Sequence, residues 1–533
     1  MITPFILLFL ILECVAINVL VLSPAFGGSH MNFMARLADT LTEAGHNVTF
    51  LVAVADETRK NQLGVKLTKD VVVVERDEQM ISEHVEFESD LAGLWTLDSH
   101  NADFDGMLSW YNVLIEAYCA NFVRNREVFS DMKSRNFDVA ILEPVTICGL
   151  GYFKKLGIEK TILASSQTAY DFVVANSGEP QELSYVPASQ SPFTDKMTMT
   201  ERYTNYVFSR GNRGNIERMF DKETETYKKY LGEDIPDWRE LMPAASLMFT
   251  NSNPYVDFPR PVLQKTVPIG GISVDLESIR SQKLNAEWDE ILERKERNML
   301  ISFGSMVRSS EMPVEWKMNL LEVIRSEPNV TFIWKYETDE TAFAAGVDNI
   351  HFSKWVPQTA LLNDPRLSAF LTHGGLGSTM ELAHCGKPAV MVPITFDQFR
   401  NAHMLQRHHS VIRVWKTDLG NFEIVKSAVH SILYDKNYQR NATILADLLE
   451  NQPYSPKEQL VKHTEFVAKY GPFPQLDPFG RQLNAFQKSF LDIFLVAFLV
   501  SFVSLLFIYL LLKDLITRIV SIRLARSVKN KTI

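Results

Sequence analysis

Residues 352–401 restrict the fold of this chain more than any other segment. They read as a short helix (359–363), a strand (368–372), a glycine-rich turn, a helix from about Ser378 and a second strand (389–393). Two parallel strands joined by a helix place the polar residues that follow them at one edge of a sheet, where open α/β sheets bind ligands. A glycine turn that leads into a helix also offers backbone N–H groups to an anion. This edge is therefore predicted to bind a phosphate-bearing ligand.

Polar and glycine residues occur in a fixed order along this segment. They are Trp355, Gln358, His373, Gly374, Gly375, Ser378, Glu381, Asp397 and Gln398. In this order the segment strongly resembles the signature of the UDP-glycosyltransferases, and most closely that of the membrane-bound UDP-glucuronosyltransferases. A dinucleotide-binding fingerprint is disfavoured, because G-x-G-x-x-G requires a third glycine where this chain has Met380.

The chemistry of these residues suits the uridine of a UDP-sugar. Trp355 offers a ring face on which uracil could stack, with a place in the hydrophobic core as the alternative. Gln358 offers an amide to the uracil edge or to the ribose. Glu381 could accept both ribose hydroxyls, although Ser378 and Glu381 also fit a helix capping box. The resemblance favours the ribose role.

The diphosphate is predicted to lie against the glycine turn. His373 ends its strand there, and its ring N–H could donate to a phosphate oxygen. The diphosphate would also accept from backbone N–H groups near Gly377 and Ser378 and from the hydroxyl of Ser305. These groups together are expected to neutralise it with no metal ion or other cofactor. Gly375 belongs to the same turn. Many relatives have Asn at the position of Gly377, so this chain lacks one side-chain contact.

Asp397 and Gln398 follow the second strand and could bind the hydroxyls of the sugar. The alternative is an exposed acidic loop. The resemblance points to glucuronic acid as the transferred sugar, which would need a cationic partner, and Arg260 or Arg400 could supply one. UDP-glucose stays a competing donor.

Transfer of a sugar to a hydroxyl needs a base, and His30 is the candidate. It begins a predicted helix after an apolar strand (18–23), where the helix dipole favours the neutral imidazole. Its surroundings resemble the catalytic-histidine segment of the family, with a capping role as the alternative. Glu143 follows the strand 137–142, where the family typically carries the Asp that orients this base. The longer side chain of Glu143 leaves open whether the pairing survives.

Length, charge and cysteine count narrow the class of protein further. A chain of 533 residues is long enough for two to three domains. The net charge of -10, with no basic cluster before the tail, makes nucleic acid an unexpected partner. There are four cysteines. Cys14 is expected to leave with a signal peptide, and the odd number that remains indicates no disulfide framework.

Both ends of the chain carry targeting features. Residues 1–16 read as a signal peptide. Residues 493–512 are uncharged and match the ~20 residues that cross a bilayer. The tail, 513–533, is basic, so the positive-inside rule places it in the cytosol and the body in the lumen. Its last lysines resemble a dilysine retrieval signal, which predicts a single-pass type I protein of the endoplasmic reticulum membrane. A homo-oligomer is a possible assembly of this chain.

The predicted fold is α/β of the GT-B type, with two facing Rossmann-like domains and a C-terminal transmembrane helix. The boundaries are an acceptor-binding domain at 17–271, a linker at 272–297, a UDP-sugar-binding domain at 298–470 and a membrane-proximal segment at 471–492. Within the first domain, residues 108–133 are predicted to form one long helix. Residues 166–243 are predicted to be irregular, and the resemblance assigns the acceptor pocket to this half.

Two further motifs are weak. Asp103-Phe-Asp105 is a D-x-D of the kind that holds a metal in other glycosyltransferases, but no strand leads into it, and no metal site is predicted. Sequons at Asn47, Asn329 and Asn441 are possible glycosylation sites.

The function predicted from these features is inverting transfer of glucuronic acid or glucose from UDP to a hydroxyl of a small lipophilic acceptor, with His30 as general base. One alternative is a glucosyltransferase acting on a lipid, sterol or xenobiotic. A second is a membrane-bound UDP-sugar binder with weak catalysis. A hydrolase is disfavoured, because the chain has no G-x-S-x-G nucleophile turn.

Overall fold

The computed structural model describes residues 16–25, 27–57, 60–83, 91–97 and 102–530. The predicted signal peptide lies outside the described residues, except for its last position. The chain forms two compact units, Met1–Leu476 and Asp477–Ile533. Two parallel sheets lie in the first unit.

The first sheet has the strand order β3-β2-β1-β4-β5-β6-β7. The strands are β1 (Asn18–Ala25), β2 (Asn47–Val54), β3 (Asp70–Val74), β4 (Val139–Leu142), β5 (Thr161–Ser165), β6 (Leu247–Thr250) and β7 (Thr266–Pro268). β1 is buried almost throughout, as its continuous apolar run predicts for a central parallel strand. From β1 the chain adds β2 and β3 on one side of the sheet and β4 to β7 on the other. The residues that follow β1 and β4 therefore border the crevice where such sheets bind ligands.

Helices cover both faces of this sheet. They are Gly28–Glu43, Glu78–Glu83, Ala102–Arg124, Arg126–Ser134, Cys148–Leu156, Asp171–Asn176, Met199–Leu231 and Trp238–Leu241. The single helix predicted over 108–133 is therefore two helices. Asn125 separates them, because its side chain accepts from the backbone N–H of Val128 at 3.0 Å and caps the second helix.

The region 166–243 was predicted to be irregular, but it contains a helix of 33 residues, here called the long helix (Met199–Leu231). A capping box between Thr198 and Glu201 fixes its start. The sequence hides this helix because polar side chains such as Glu223 occupy part of its buried face, which weakens the apolar periodicity.

The second sheet has the order β10-β9-β8-β11-β12-β13. The strands are β8 (Arg297–Ser302), β9 (Val330–Lys335), β10 (Ile350–Ser353), β11 (Leu367–Thr372), β12 (Ala389–Met391) and β13 (Val411–Arg413). Its helices are Val314–Ser326, Gln358–Asn363, Leu376–Cys385, Gln398–Gln406, Phe422–Tyr434 and Lys436–Glu450. The predicted β-α-β unit is present as β11, the helix Leu376–Cys385 and β12, which pairs in parallel with β11. In this sheet the order of successive strands changes sides between β8 and β11, beside the glycine turn.

The segment predicted as a linker holds two helices, Leu276–Ser281 and Ala286–Glu293. The helix Pro456–Tyr470, here called the return helix, was predicted to belong to the second domain, but it packs on the first sheet. Its side chains Leu460 and Val467 are fully buried in the core that covers one face of the first sheet. The chain therefore crosses from the second sheet back to the first.

Cys119 and Cys148 form a disulfide with an S–S distance of 1.95 Å, so the prediction of no disulfide was wrong. The bond joins the helix Ala102–Arg124 to the first residue of the helix Cys148–Leu156. A count of cysteines could not reveal this pairing, because it depends on how two helices separated in sequence pack together. Cys385 is a free thiol.

The second unit contains the helices Ala485–Lys488 and Leu491–Lys529. Within the part of the chain that the structure describes, residues Leu491–Val528 form one helix that is long and apolar enough to cross a membrane. The predicted span, 493–512, lies inside it.

Candidate active site

His30 and Glu143 form a hydrogen-bonded pair at the carboxyl edge of the first sheet. His30 is the third residue of the helix that follows β1, and Glu143 directly follows β4. Nδ1 of His30 lies 2.8 Å from Oε1 of Glu143. The Glu143 side chain is fully buried, whereas the His30 side chain is 18% exposed. The extra methylene of Glu143 therefore does not prevent its carboxylate from reaching the imidazole.

Two residues that follow β5, and that sequence reasoning did not single out, surround this pair. The backbone N–H of Ser166 donates to Oε1 of Glu143 at 3.2 Å, and its Oγ lies 2.9 Å from Nδ1 of His30. The hydroxyl of Tyr170 donates to the same carboxylate oxygen at 3.4 Å. Because a carboxylate can only accept, this pattern assigns the ring proton to Nδ1 and the lone pair to Nε2. The position of Ser166 just after a strand was the signal that could have found it.

The surroundings of His30 make it more basic than an ordinary histidine. Burial lowers the pKa of His30, but the charge of Glu143, its hydrogen bond and the charge of Asp397 outweigh burial and raise that pKa. This is the opposite of the effect expected from the helix dipole alone. The hydrogen-bonded carboxylate of Glu143 is the main cause of the rise, and Asp397 of the second sheet, which the sequence argument left out, adds to it.

Gly27 lets the His30 ring lie against the backbone. A Cβ atom at this position would lie only 2.8 Å from Cδ2 of His30. Any larger residue at position 27 would therefore displace the imidazole.

His373 lies between two glycine backbones at the end of β11. A Cβ atom at Gly304 would lie 2.6 Å from the ring atom Cε1, and one at Gly375 would lie 2.7 Å from Nε2. Gly304 also has a φ of 89°, which favours glycine. The turn after β8 and the turn after β11 therefore meet around one imidazole.

The imidazole of His373 is neutral. Burial, and then the charge of Lys335, lowers the pKa of His373 to about 4. Lys335 was not identified from the sequence. It ends β9, and its Nζ donates to the carbonyl of Gly304 at 2.8 Å and contacts Glu337 at 3.2 Å. A neutral ring donor and a cation thus border the same turn.

The helix after the glycine turn, here called the glycine-turn helix (Leu376–Cys385), begins two residues earlier than predicted. Its N-cap is Gly375, and no side chain caps it. The backbone N–H groups of its first turn are the groups that a bound anion could satisfy. Gly377 is exposed and has no atom within 4 Å of an added Cβ, and Ser305 is exposed beyond Gly304.

Two of the residues predicted to bind the uridine, Gln358 and Glu381, are in contact. Nε2 of Gln358 donates to Oε2 of Glu381 at 2.6 Å and to Oγ of Ser378 at 3.0 Å. Ser378 and Glu381 do not form a capping box, because Ser378 lies inside the glycine-turn helix. Burial raises the pKa of Glu381 to about 7. Trp355 is 68% exposed, so the core alternative is wrong.

Asp397 precedes the helix Gln398–Gln406 that follows β12, and Gln398 is the first residue of that helix. Oδ2 of Asp397 accepts from Nδ2 of Asn401 at 2.8 Å, and Asn401 also donates to the carbonyl of Gly374 at 3.1 Å. Oε1 of Gln398 accepts the backbone N–H groups of Ile394 and Thr395 at 2.8 and 3.1 Å. The amide oxygen of Gln398 therefore holds the loop, and its amide nitrogen is the group that could donate to a sugar.

The two arginines considered as partners of a sugar carboxylate are both engaged elsewhere. Arg400 is 3% exposed and forms an ion pair with Asp257, which is 4% exposed. Arg260 pairs with the buried carboxylate of Glu179, and burial lowers the pKa of Arg260 to about 10. Neither guanidinium is available without breaking a buried ion pair.

Asp103-Phe-Asp105 lies within the helix Ala102–Arg124, so it does not follow a strand. Among the described residues, one group of three ligand-type side chains is compact enough to hold a metal, with its atoms within 4.8 Å of one another. It consists of Cys119, Cys148 and Glu223. Both sulfurs are bonded to each other, so this group does not form a metal site.

Together these residues form two sets of groups that suit the two halves of a group transfer. The first sheet supplies a basic imidazole that is oriented by a buried carboxylate. The second sheet supplies a glycine turn, a helix start and a cation where an anion could bind. The charge of Asp397 acts on His30, which brings the two sets to one gap.

Comparison with known proteins identifies relatives that match most of the chain. The family model described as "UDP-glucoronosyl and UDP-glucosyl transferase" matches residues 18–524. The "Putative UDP-glucuronosyltransferase ugt-47" of Caenorhabditis briggsae is 29% identical over 91% of this chain and 91% of its own length. UDP-glucuronosyltransferase 3A1 of Xenopus laevis is 26% identical over 88% of each chain.

The fold is similar to that of solved glycosyltransferase structures. One is a UDP-glucosyltransferase from Polygonum tinctorium, capable of glucosylating indoxyl, in complex with 3,4-dichloroaniline. It superposes with a TM-score of 0.58 and 15% identity, and the match covers 86% of this chain and 99% of that one. At this identity the likeness concerns the fold alone, and it confirms the predicted GT-B class.

Proposed function

The chain belongs to the UDP-glucuronosyl and UDP-glucosyl transferase family, which makes it a UDP-glycosyltransferase, and from this premise we propose that it moves a hexose from UDP to a hydroxyl of a small lipophilic acceptor with inversion at the anomeric carbon. The observation that carries the proposal is the His30–Glu143 hydrogen bond of 2.8 Å at an edge where the charge of Asp397, from the other sheet, also acts on His30.

In the proposed reaction His30 is the general base. Its Nε2 lone pair takes the proton of the acceptor hydroxyl as the oxygen attacks the anomeric carbon of the donor. The bond from that carbon to the phosphate oxygen breaks, and UDP leaves with the electron pair. Glu143 stabilises the imidazolium that forms and keeps the ring in the reactive tautomer.

The donor is proposed to bind along the carboxyl edge of the second sheet. Uracil would stack on the exposed face of Trp355, with Gln358 beside it, and Glu381 would accept the ribose hydroxyls. The diphosphate would lie at the start of the glycine-turn helix, where His373 donates an N–H and Lys335 supplies positive charge. We propose that these groups, with Ser305 and the N–H groups near Gly375, Gly377 and Ser378, neutralise the diphosphate and that no metal is needed.

The transferred sugar is proposed to be neutral, with glucose as the donor sugar. The names of the relatives favour glucuronic acid. In this chain, however, both candidate arginines are held in buried ion pairs, and the sugar would lie near the carboxylate of Asp397. A hexuronic acid would bring a second negative charge there, and neither arginine could offset it without breaking a buried ion pair.

The alternative of a sugar-nucleotide binder without turnover rested on Glu143 and Gly377. The contact of Glu143 with His30 argues against it, and Gly377 leaves the helix start open rather than blocked. His30→Ala separates the two functions. An enzyme loses turnover and keeps UDP binding, whereas a binder never showed turnover.

The body is proposed to face the lumen of the endoplasmic reticulum, with the apolar helix as a type I anchor. The Cys119–Cys148 disulfide supports an oxidising compartment. Of the sequons, Asn329 is exposed before β9, whereas Asn441 lies in a helix and its Nδ2 donates to the carbonyl of His409 at 3.1 Å. We propose Asn329 as a glycosylated site and Asn441 as an unmodified one, to be checked by glycopeptide mass spectrometry.

Membranes that contain the full chain test the proposal directly. They would be incubated with UDP-glucose or UDP-glucuronic acid and a phenolic acceptor, and the product identified by its mass. A hexoside that disappears in the His30→Ala variant supports the proposal. A glucuronide as the main product would contradict the choice of donor, and no product with any donor would contradict the activity.

A further inference from the structure

The loop that carries Glu143 is held from outside the proposed site. It runs from Glu143 to Ile147, between β4 and the helix Cys148–Leu156. Glu143 itself is 1% exposed, and its Oε2 has no hydrogen-bond partner among the described residues. Burying a carboxylate oxygen without a partner costs free energy, so this loop would gain by moving Glu143 toward water. The hydrogen bonds of His30, Ser166 and Tyr170 to the other oxygen, Oε1, oppose that movement, and a contact at the far end of the loop adds to them.

Glu223 of the long helix is that contact. One oxygen, Oε2, accepts three hydrogen bonds from the end of the loop: from Oγ1 of Thr146 at 2.5 Å, from the N–H of Ile147 at 2.9 Å and from the N–H of Cys148 at 2.8 Å. Glu223 is fully buried, and burial raises its pKa to about 8. It therefore accepts from the N–H groups at the start of the helix Cys148–Leu156, because the N-cap residue, Ile147, has no side chain that could do so.

The disulfide restrains the same point of the chain. Cys148, which donates its N–H to Glu223, is bonded through sulfur to Cys119. One end of the loop is thus fixed by a covalent bond and by a buried carboxyl. The other end continues from β4, which pairs with β1 in the centre of the sheet.

We propose that Glu223 is a positioning residue which, together with the Cys119–Cys148 disulfide, holds Glu143 in hydrogen-bonding contact with His30. The proposal rests on the function proposed above. Glu223 contacts the loop and not His30, so it acts through Glu143. When the restraint is lost, Glu143 withdraws, and His30 loses its orienting partner.

Described residues from both sheets act on the pKa of His30. Glu143 acts from the end of β4 and Asp397 from the second sheet, and the hydroxyl of Tyr170 contacts Glu143. Burial first, and then nearby charges that include Glu223, raise the pKa of Tyr227 on the long helix. Removal of Glu223 leaves Asp397 in place, so the pKa of His30 should fall only by the share that Glu143 provides.

The test compares Glu223→Ala with Glu223→Gln in the full chain. Gln keeps an oxygen that can accept all three hydrogen bonds, and it resembles the protonated acid that a pKa of about 8 favours at neutral pH. Glu223→Ala should lower kcat on the order of tenfold to a hundredfold, as a small misplacement of a reacting group does, with the KM for UDP-glucose unchanged. The acidic limb of its kcat/KM profile should move to lower pH. Glu223→Gln should retain the wild-type profile.

A double variant shows whether Glu223 acts through Glu143. Glu143→Gln alone should give the same shift of the acidic limb, and adding Glu223→Ala should then cause little further loss. Full additivity, or an unshifted limb in Glu223→Ala, would overturn the proposal. If Glu223→Ala does not fold, Cys119→Ser with Cys148→Ser replaces it, and the same shift of the limb is expected.

A readout that does not need turnover separates this proposal from the proposed function. Diethyl pyrocarbonate modifies neutral imidazoles, so its rate at His30, followed by peptide mass spectrometry across pH, reports the pKa of that residue directly. A wild-type chain without transferase activity would contradict the proposed function alone. A His30 titration that is identical in the wild type and Glu223→Ala would contradict the positioning role alone.

Discussion

The charge of Asp397 raises the pKa of His30, although the two residues follow strands of different sheets. The effect is mutual, because burial raises the pKa of Asp397 while the charge of His30 opposes that rise. The residue proposed to bind the sugar and the residue proposed to take the proton therefore border one gap. This is the arrangement that a direct displacement between a bound donor and an acceptor requires.

Replacement of His30 by Ala is expected to lower kcat by about 10² to 10⁴, the range that a general base contributes. UDP binding should stay unchanged, because His30 lies on the acceptor side. Turnover is measured by product mass and UDP binding by calorimetry. His430→Ala is a matched control, since this histidine side chain is 60% exposed and pairs with Glu327. Equal losses in both variants would argue against a specific role.

Replacement of Glu143 by Gln is expected to move the acidic limb of kcat/KM to lower pH. The base must be neutral to accept a proton, so activity falls as the pH drops through the pKa of His30. Burial lowers that pKa and Glu143 raises it, so without Glu143 the effect of burial exceeds the remaining charge of Asp397 and the pKa should fall below the ordinary value of about 6.5. The plateau rate should also fall, because the ring loses its orienting partner. A limb that stays in place would show that Glu143 does not set the charge of His30.

Donor affinity should depend on the ionisation of Glu381. Its pKa is about 7, and only the carboxylate accepts both ribose hydroxyls, so affinity should fall as the pH drops below about 7. UDP-glucose is the probe, because the terminal phosphate of UDP itself titrates near this pH. Calorimetry in the His30→Ala background avoids turnover and the titration of His30. Glu381→Gln should bind more weakly at high pH and lose the pH dependence, while a retained dependence would point to another group.

Loss of the Arg400–Asp257 ion pair should mainly affect stability. Arg400→Met leaves the buried carboxylate of Asp257 unpaired, which costs about 3 to 5 kcal/mol of the free energy of unfolding. Arg400→Met with Asp257→Asn should recover part of the lost Tm, measured by thermal unfolding. A selective rise of KM for UDP-glucuronic acid in Arg400→Met would instead show that this arginine binds the sugar, contrary to the proposed donor.

Chelation of divalent metals should leave the activity unchanged. The diphosphate is proposed to be neutralised by Lys335, by the N–H of His373 and by the start of the glycine-turn helix. The measurement is the initial rate of hexoside formation before and after treatment with EDTA. A loss that added magnesium or manganese restores would contradict this account.

The sequence predicted the elements whose signal is local. The strand, glycine turn and helix around His373 lie within one run of the chain, and the apolar strand before His30 reads as a buried strand by itself. The resemblance then brought Glu143 beside His30 as a candidate. The contacts between residues distant in sequence could not be read in this way. Ser166 reaches His30 only because β5 lies next to β4 in the sheet.

Electrostatic expectations failed for the same reason. The helix dipole at His30 is visible in the sequence, but the raised pKa comes from the charge and hydrogen bond of Glu143 and then from the charge of Asp397, and both depend on how distant strands are arranged. Arg400 was one of two arginines named from the sequence as a candidate partner for a sugar carboxylate. Its pairing with Asp257 is a contact with the other half of the chain.

The return helix joins the two halves of the first unit a second time. Leu460 and Val467 cover apolar residues of the first sheet. A fragment that ends at Gly271 would expose those sheet residues to water and should be insoluble or prone to aggregate. The segment Leu91–Trp95 also joins the halves, because Trp95 is fully buried in the core of the second sheet. These separate connections restrict how far the two halves can move apart.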